Sequence, residues 1–176
     1  VEPEVSALSK KGCRVLLLAI CSDFDEKGAL YGRVTPVGLV ALWNRVRPQA
    51  KETFSYFARQ NVEIKVISGD SPITASMAAA EACIPNADRY VDATALDTPE
   101  KLASAAMQYT VFGRVTPDQK RSLVLALKEA GKTVAMTGDG VNDAPALKTA
   151  DVSAAMGSMG SDIAVDAADI ALMGDD

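Results

Sequence analysis

The fold is decided by residues 133–148, which read Thr-Val-Ala-Met-Thr-Gly-Asp-Gly-Val-Asn-Asp-Ala-Pro-Ala-Leu-Lys. The first four residues are uncharged and suit an extended backbone, so they predict a β-strand at 133–136. A loop that holds two glycines, two carboxylates and an amide follows the strand directly. Polar loops of this kind are typical of open parallel sheets, in which ligands bind where strands end.

The same alternation of strands and helices extends to both sides of this stretch. Ala50, Phe54, Phe57 and Ala58 form one apolar helical stripe, which precedes a Val- and Ile-rich strand at 62–67. Further helices are predicted at 72–83, 99–107 and 117–130 and a strand at 110–112, and the pattern continues more weakly over 144–148, 152–155, 162–168 and 170–173. We therefore expect an α/β fold with a mainly parallel sheet and helices on both faces.

Composition excludes several classes of protein. The 176 residues carry 18 basic and 23 acidic side chains, a net charge of −5, so nucleic acid is not an expected partner. The absence of histidine excludes a Ser-His-Asp triad and any His-ligated zinc or iron site. Cys13, Cys21 and Cys83 fit no metal-binding spacing, and we expect them to be small buried hydrophobes. The longest apolar runs, 15–21 and 37–43, are far shorter than the roughly 20 residues that span a bilayer.

The most informative loop is the acidic one at 137–145. Asp139, Asn142 and Asp143 lie within five residues. Crowded carboxylates repel one another unless a cation lies among them, and oxygen donors without His or Cys suit Mg²⁺. An Asp-Gly hairpin turn is the alternative, but such a turn does not need Asn142 and Asp143 as well. We therefore interpret this loop as a magnesium site.

A second polar loop follows the predicted strand at 62–67. Ser68, Gly69 and Asp70 come directly after the strand, and Pro72 can begin the next helix. The glycine allows close approach of a ligand, free N–H groups at a helix start favour an anion, and the Ser68 hydroxyl could donate to a phosphate oxygen. The alternative is an ordinary strand-to-helix turn in which Asp70 or Ser71 is the N-cap.

A third loop follows the strand at 110–112. Thr116 is a plausible N-cap with Pro117 at the first helical position, so Lys120 lies in the first turn of the helix. A cation there opposes the helix dipole, which suggests a partner such as phosphate. A solvated lysine is the alternative. The three loops together would hold a phosphoryl group and Mg²⁺, although no nucleophile with a suitable setting is visible.

These loops resemble the conserved blocks of one family. The segment 137–148 is similar to the hinge signature of P-type cation-transporting ATPases, whose phosphorylation domain belongs to the haloacid dehalogenase superfamily. Segments 68–70, 114–120 and 162–172 match further blocks in order and spacing. The resemblance covers about residues 37–176 and implies a three-layer, Rossmann-like fold.

The resemblance also implies a role for each loop residue. Asp139 would ligate Mg²⁺ with Asp143 beside it, and Lys120 would neutralise charge on the attacking or leaving oxygen. The phosphoryl group would be held by Ser68, Gly69 and Asn142, and the nucleotide would lie near Asp70 and Arg114. In such enzymes ATP phosphorylates an aspartate, and hydrolysis of the aspartyl phosphate is coupled to cation transport. The expected partners are ATP and the membrane and actuator domains of a longer chain at the cell membrane, with this domain facing the cytoplasm.

The resemblance also implies a division of the chain into domains, and the sequence departs from the family pattern in two places. Residues 1–22 would be the end of a nucleotide-binding insertion, 23–36 a hinge and 37–176 the phosphorylation domain. The family's Asp-Lys-Thr-Gly-Thr segment, which carries the nucleophile, is absent from these residues. Asn44 stands where the family usually has an acid that helps to order the site near Asp70, whereas Arg47 is retained. Because the first residue is valine, we expect a piece of a longer protein, and because the nucleophile is missing we expect this piece to be inactive by itself.

Two other functions are open from the residues alone. A free-standing haloacid dehalogenase-type phosphatase would need a nucleophilic aspartate near its own N-terminus. A non-catalytic phospho-receiver-like module would need an acceptor aspartate on a central strand. Flanking apolar 20-residue segments and an upstream Asp-Lys-Thr-Gly-Thr would distinguish the ATPase from both.

The missing segment has a structural consequence. In the family its strand is central, so its absence leaves two rows of backbone N–H and C=O groups unpaired. We expect residues 14–21, which are apolar on both faces, to fill the vacant position as a parallel strand. Edge pairing between two chains, or a segment supplied as a separate piece, are the alternatives.

Overall fold

The computed structural model describes residues 2–23, 25–43, 45–158 and 160–174. Its helices are α1 Glu2–Ser9, α2 Ala50–Arg59, α3 Pro72–Glu81, α4 Pro99–Gln108, α5 Pro117–Glu129, α6 Ala144–Leu147 and α7 Asp162–Ala167. Its strands are β1 Arg14–Cys21, β2 Val34–Leu42, β3 Val66–Ile67, β4 Tyr90–Asp92, β5 Val111–Gly113, β6 Ala135–Gly138, β7 Val152–Met156 and β8 Ile170–Leu172. Short 3-10 turns occupy Ala93–Ala95 and Val141–Asp143. No helix of the described residues is long and apolar enough to cross a membrane.

The strands of the described residues form two parallel sheets and one antiparallel pair. The first parallel sheet has the order β3-β5-β4 and the second has the order β6-β7-β8. The expected α/β fold with mainly parallel strands is confirmed, but its parallel strands form two sheets rather than one. In the described part of the chain, no ladder joins β3 to β6.

The strand at residues 14–21 does not fill the vacant position. β1 pairs with β2 in antiparallel register, from Arg14 opposite Leu42 to Cys21 opposite Val34. The expectation of a parallel strand beside the strands at 65–67 and 134–136 is therefore wrong. The physical reason is sequence distance, because a short connection closes a hairpin at a lower entropic cost than a long crossover.

Helix α5 joins the two parallel sheets. Thr116 caps it, because the Thr116 hydroxyl accepts a hydrogen bond from Gln119 N and the Gln119 side chain accepts one from Thr116 N. Its Leu123 packs with Phe112 in one buried cluster, whereas the adjacent Val124 packs with Leu147 in another. One helix thus contributes to both cores, which fixes the strand ends of the two sheets relative to each other.

Several element boundaries differ from the sequence prediction. β3 comprises only Val66–Ile67, not residues 62–67, because its ladder pairs just those residues with Val111 and Phe112. β2 runs across the predicted boundary between 36 and 37. The division into 1–22, 23–36 and 37–176 stays a prediction. Asn44 lies outside the described residues.

The cysteines differ in burial. All three are free, with Cys13 buried, Cys21 half-buried and Cys83 exposed. The expectation of burial is therefore confirmed for Cys13 and wrong for Cys83. Cys83 follows the end of α3 with a φ of 61°, and this left-handed backbone turns the chain away from the helix.

Candidate active site

The loops after β3 and β5 are joined by main-chain hydrogen bonds. Arg114 N donates to Asp70 O at 2.7 Å, and Val115 N donates to Ser68 O at 3.0 Å. The two loops also touch directly, because a Cβ built on Gly113 would lie 2.3 Å from Pro72 N. Only glycine permits this approach, so the loops after β3 and β5 form one surface.

Within this surface, Ser68 is half-buried and its Oγ accepts a hydrogen bond from Asp70 N at 3.1 Å. This bond uses a lone pair, so the hydroxyl proton stays available for another acceptor. Gly69 is exposed, and nothing lies within 4 Å of a Cβ built there. Asp70 is not the N-cap of α3, because Ser71 accepts from Thr74 N. The Asp70 carboxylate lies instead 3.5 Å from Arg14 Nε.

The loops after β5 and β6 are joined by a buried ion pair. Lys120 Nζ lies 2.6 Å from Asp143 Oδ1, and both side chains are largely shielded from water. The other carboxylate oxygen of Asp143 accepts from Gly140 N at 3.2 Å. A Cβ built on Gly138 would lie 2.6 Å from Asp143 Cβ, so the loop closes tightly over this carboxylate. Ser68, Lys120 and the acidic loop thus all lie at the carboxyl ends of parallel strands.

The acidic loop exposes one unpaired carboxylate. Asp139 and Asn142 are exposed, and the Asp139 side chain has no hydrogen bond or ion pair to any described residue. No group of three or more His, Cys, Asp or Glu side chains that could hold a metal ion is found among the described residues. Of the two carboxylates in the acidic loop, Asp139 is thus free to offer oxygen donors to a hard cation, whereas Asp143 is already bonded to Lys120.

Arg114 contacts Asp92, a residue that the sequence analysis did not single out. Its guanidinium forms an ion pair with Asp92, at the end of β4, and its backbone has a φ of 54°. Burial raises the pKa of Asp92, but hydrogen bonds from Thr94 and Arg114 outweigh burial and hold that pKa below its usual range. A polar residue at the end of a strand is the signal that could have identified Asp92, but β4 was itself not predicted.

A second missed residue, Ser161, contacts the acidic loop through its main chain. Ser161 N donates to Asp139 O at 2.8 Å. Side-chain chemistry carries no signal for such a contact, because every residue except proline has this donor.

Two comparisons of sequence identify relatives of the chain. A family model described as haloacid dehalogenase-like hydrolase matches residues 4–151. The chain is 50% identical over 156 residues to the calcium-transporting ATPase CtpE of Mycobacterium tuberculosis, covering 88% of this chain and 19% of that protein. It is 39% identical to the probable cation-transporting ATPase exp7 of Streptococcus pneumoniae, covering 88% and 20% respectively. The chain thus spans about one fifth of the length of these curated relatives.

The fold is similar to solved structures of the same kind. One is the catalytic domain of the CPx-ATPase CopB-B, with a TM-score of 0.60, 26% identity, and coverage of 92% of this chain and 54% of that one. Another is a zinc-transporting PIB-type ATPase in the E2.Pi state, with a TM-score of 0.65, 26% identity, and coverage of 99% and 22%. These relatives confirm the resemblance to P-type cation-transporting ATPases. Because the family model matches most of the chain and the solved structures share its fold, the chain belongs to the haloacid dehalogenase-like hydrolases.

Proposed function

We propose that this chain is the phosphorylation domain of a P-type ATPase, which couples Mg-ATP hydrolysis to cation transport through an aspartyl phosphate. The observation that carries this proposal is the meeting of three loops at the ends of β3, β5 and β6. The 2.6 Å ion pair between Lys120 and Asp143 joins the loops after β5 and β6. The main-chain hydrogen bond from Arg114 to Asp70 joins the loops after β5 and β3. A hydroxyl, an ammonium and carboxylates at one sheet edge suit a phosphoryl group and a divalent cation.

Each of these groups has a distinct task in the proposal. Ser68 donates its hydroxyl proton to a phosphoryl oxygen, and the exposed main chain at Gly69 allows that oxygen to approach. Asn142 donates its amide to another phosphoryl oxygen. Lys120 neutralises charge that develops on the attacking or leaving oxygen. Asp70 and Arg114 face the nucleotide.

Relatives of this family imply a divalent metal ion, and we propose that it is Mg²⁺. Asp139 would hold it, with Asp143 beside it to fix both the loop and Lys120. When bound, the metal would polarise the phosphoryl group and screen its negative charge. Oxygen donors without sulfur or imidazole support magnesium over zinc.

The whole protein would supply the remaining parts. The nucleophilic aspartate would come from an Asp-Lys-Thr-Gly-Thr segment, which the 176 residues do not contain. Residues 1–22 would end a nucleotide-binding insertion, 23–36 would be the hinge, and 37–176 would form the phosphorylation domain. Its partners would be ATP and the membrane and actuator domains of a multi-pass protein in the cell membrane, with this domain in the cytoplasm.

Phosphoenzyme formation tests the proposal. Membranes that contain the gene product carrying this chain are incubated with γ-labelled ATP, quenched in acid and treated with hydroxylamine. We expect an acid-stable, hydroxylamine-labile label that Lys120→Met reduces by about 100-fold, since one electrostatic contact in a site typically contributes that much. The matched control is Lys101→Met, whose ammonium lies on the surface beside Asp97. No label on the wild-type protein, or equal labelling of both variants, would contradict the proposal.

A further inference from the structure

The position of Asp139 depends on a residue outside the acidic loop. Ser161 N donates a 2.8 Å hydrogen bond to the main-chain oxygen of Asp139. The Asp139 carboxylate is exposed and has no partner among the described residues, so no side-chain contact to them orients it. Contacts to the main chain of Asp139 therefore set the position from which its side chain extends.

Ser161 is itself held firmly. Its Oγ accepts a hydrogen bond from Ala164 N, so it caps α7, and Ala164 is completely buried in the cluster that contains Leu147. A Cβ built on Gly160 would lie 2.0 Å from Met156 O and 3.5 Å from Asp139 O. The chain thus passes so close to the end of β7 that no side chain fits at position 160.

The other end of α7 is tied to the same sheet. Asp169 Oδ2 accepts hydrogen bonds from Ser153 N at 2.9 Å and from Ser153 Oγ at 2.8 Å. Ser153 is only 2% exposed, so water does not compete strongly for these bonds. Both ends of α7 are therefore held against β7. Ser161, which directly precedes the helix, also contacts Asp139.

We propose that Ser161 is a positioning residue for Asp139, acting through its main-chain N–H rather than its hydroxyl. The inference rests on the proposed role of Asp139 as the Mg²⁺ ligand. Groups that orient a metal ligand typically change metal affinity by 10- to 100-fold when they are removed. Ser161 therefore tunes cation affinity from a position 22 residues after the ligand in sequence.

Two substitutions at one position separate the hydroxyl from the N–H. Ser161→Ala removes the cap and keeps the N–H. Ser161→Pro removes both, and its ring would occupy the space between the nitrogen and Asp139 O. The φ of −77° at Ser161 is one that proline adopts, so the backbone itself accepts the change.

The experiment is a Mg²⁺ titration of the 176-residue chain followed by the NMR shifts of the Gly138 and Gly140 amides. We expect the Ser161→Pro dissociation constant to be about tenfold weaker than that of Ser161→Ala. Equal dissociation constants for the two variants would overturn the inference. Asp139→Asn separates a failure of the positioning role of Ser161 from a failure of the metal role of Asp139. If Asp139→Asn binds Mg²⁺ with wild-type affinity, the metal role is refuted, and the positioning role with it.

A measurement on the unchanged chain covers the case in which Ser161→Pro does not fold. Coupling between sites is reciprocal, so a cation bound at Asp139 should stabilise the Ser161 hydrogen bond. We expect saturating Mg²⁺ to slow hydrogen exchange of the Ser161 amide by at least about threefold. An unchanged exchange rate, with the Gly138 and Gly140 shifts saturated, would overturn the inference.

Discussion

Lys120 Nζ lies 2.6 Å from Asp143 Oδ1, and this contact connects the first turn of α5 to the loop after β6. The two side chains are only 15% and 9% exposed. α5 already packs on both parallel sheets through Leu123 and Val124. The ion pair is therefore a charged contact within the packed region that joins the sheets, and it also places the proposed phosphate-binding ammonium.

Removal of the ammonium should destabilise the fold. Lys120→Met leaves the buried Asp143 carboxylate without its cation, which typically costs about 3 kcal/mol of unfolding free energy. Urea unfolding followed by circular dichroism measures the change. The double variant Lys120→Met/Asp143→Asn should recover part of the loss, because it removes the unpaired charge. A Lys120→Met midpoint equal to that of the wild type would contradict the prediction.

The 176-residue chain alone should neither autophosphorylate nor hydrolyse ATP at a useful rate. Its loops can stabilise charge, but no residue in a suitable setting can form an aspartyl phosphate. Incubation with labelled ATP followed by an acid quench measures this. The prediction fails if the pure chain carries acid-stable, hydroxylamine-labile label.

Magnesium binding to the chain should be weak and should depend on Asp139. Only one carboxylate of the acidic loop lacks a partner among the described residues, and fewer charged ligands mean a lower affinity. Calorimetric titration of Asp139→Asn should show binding reduced by about tenfold or more. The control is Asp88→Asn, which changes an exposed carboxylate elsewhere. Equal binding by wild type and Asp139→Asn would refute the assignment.

Acid should remove the contribution of Asp151 to stability. Hydrogen bonds from Val134 N and from Lys128 lower the pKa of Asp151 below its ordinary value of 3.8. A carboxyl with a lowered folded-state pKa stabilises the fold above its unfolded pKa, and this stabilisation is lost as the pH falls through the folded value.

Asp151→Asn should therefore be less stable than the wild type at pH 7. The difference should shrink as the pH falls from about 5 to about 2. Urea midpoints across this range measure it, with Asp88→Asn as the exposed control. A difference that stays constant with pH would show that the charge of Asp151 is not what matters.

The close contact between the loops after β3 and β5 should not tolerate a side chain. In Gly113→Ala the new methyl would lie 2.3 Å from Pro72 N, so the loops must separate. Overpacking of this kind costs about 1–3 kcal/mol. Gly38→Ala is the matched control, because nothing lies within 4 Å of its Cβ. Equal unfolding midpoints for these two variants would contradict the contact.

The sequence by itself determined the three loops and the helices from α2 onward, whereas α1 was not predicted. Ser71, Thr116 and Ser161 all act as helix N-caps, and prolines begin α3, α4 and α5. These signals are local, because a cap or a proline acts within one turn of the chain. The strand-end loops were likewise visible, because glycines and clustered carboxylates have few structural uses at that spacing.

Only the tertiary structure decided which segments pair. It placed β1 on β2 rather than beside β3, and it limited β3 to the two residues that have ladder partners on β5. It also joined Arg114 to Asp92, Lys120 to Asp143 and Ser161 to Asp139. Each of these last three contacts joins residues 22 or 23 positions apart, and it forms through packing that no local pattern encodes. The sequence therefore determines which chemical groups the loops carry. The relative positions of the loops depend on the two parallel sheets and on α5, which packs against both.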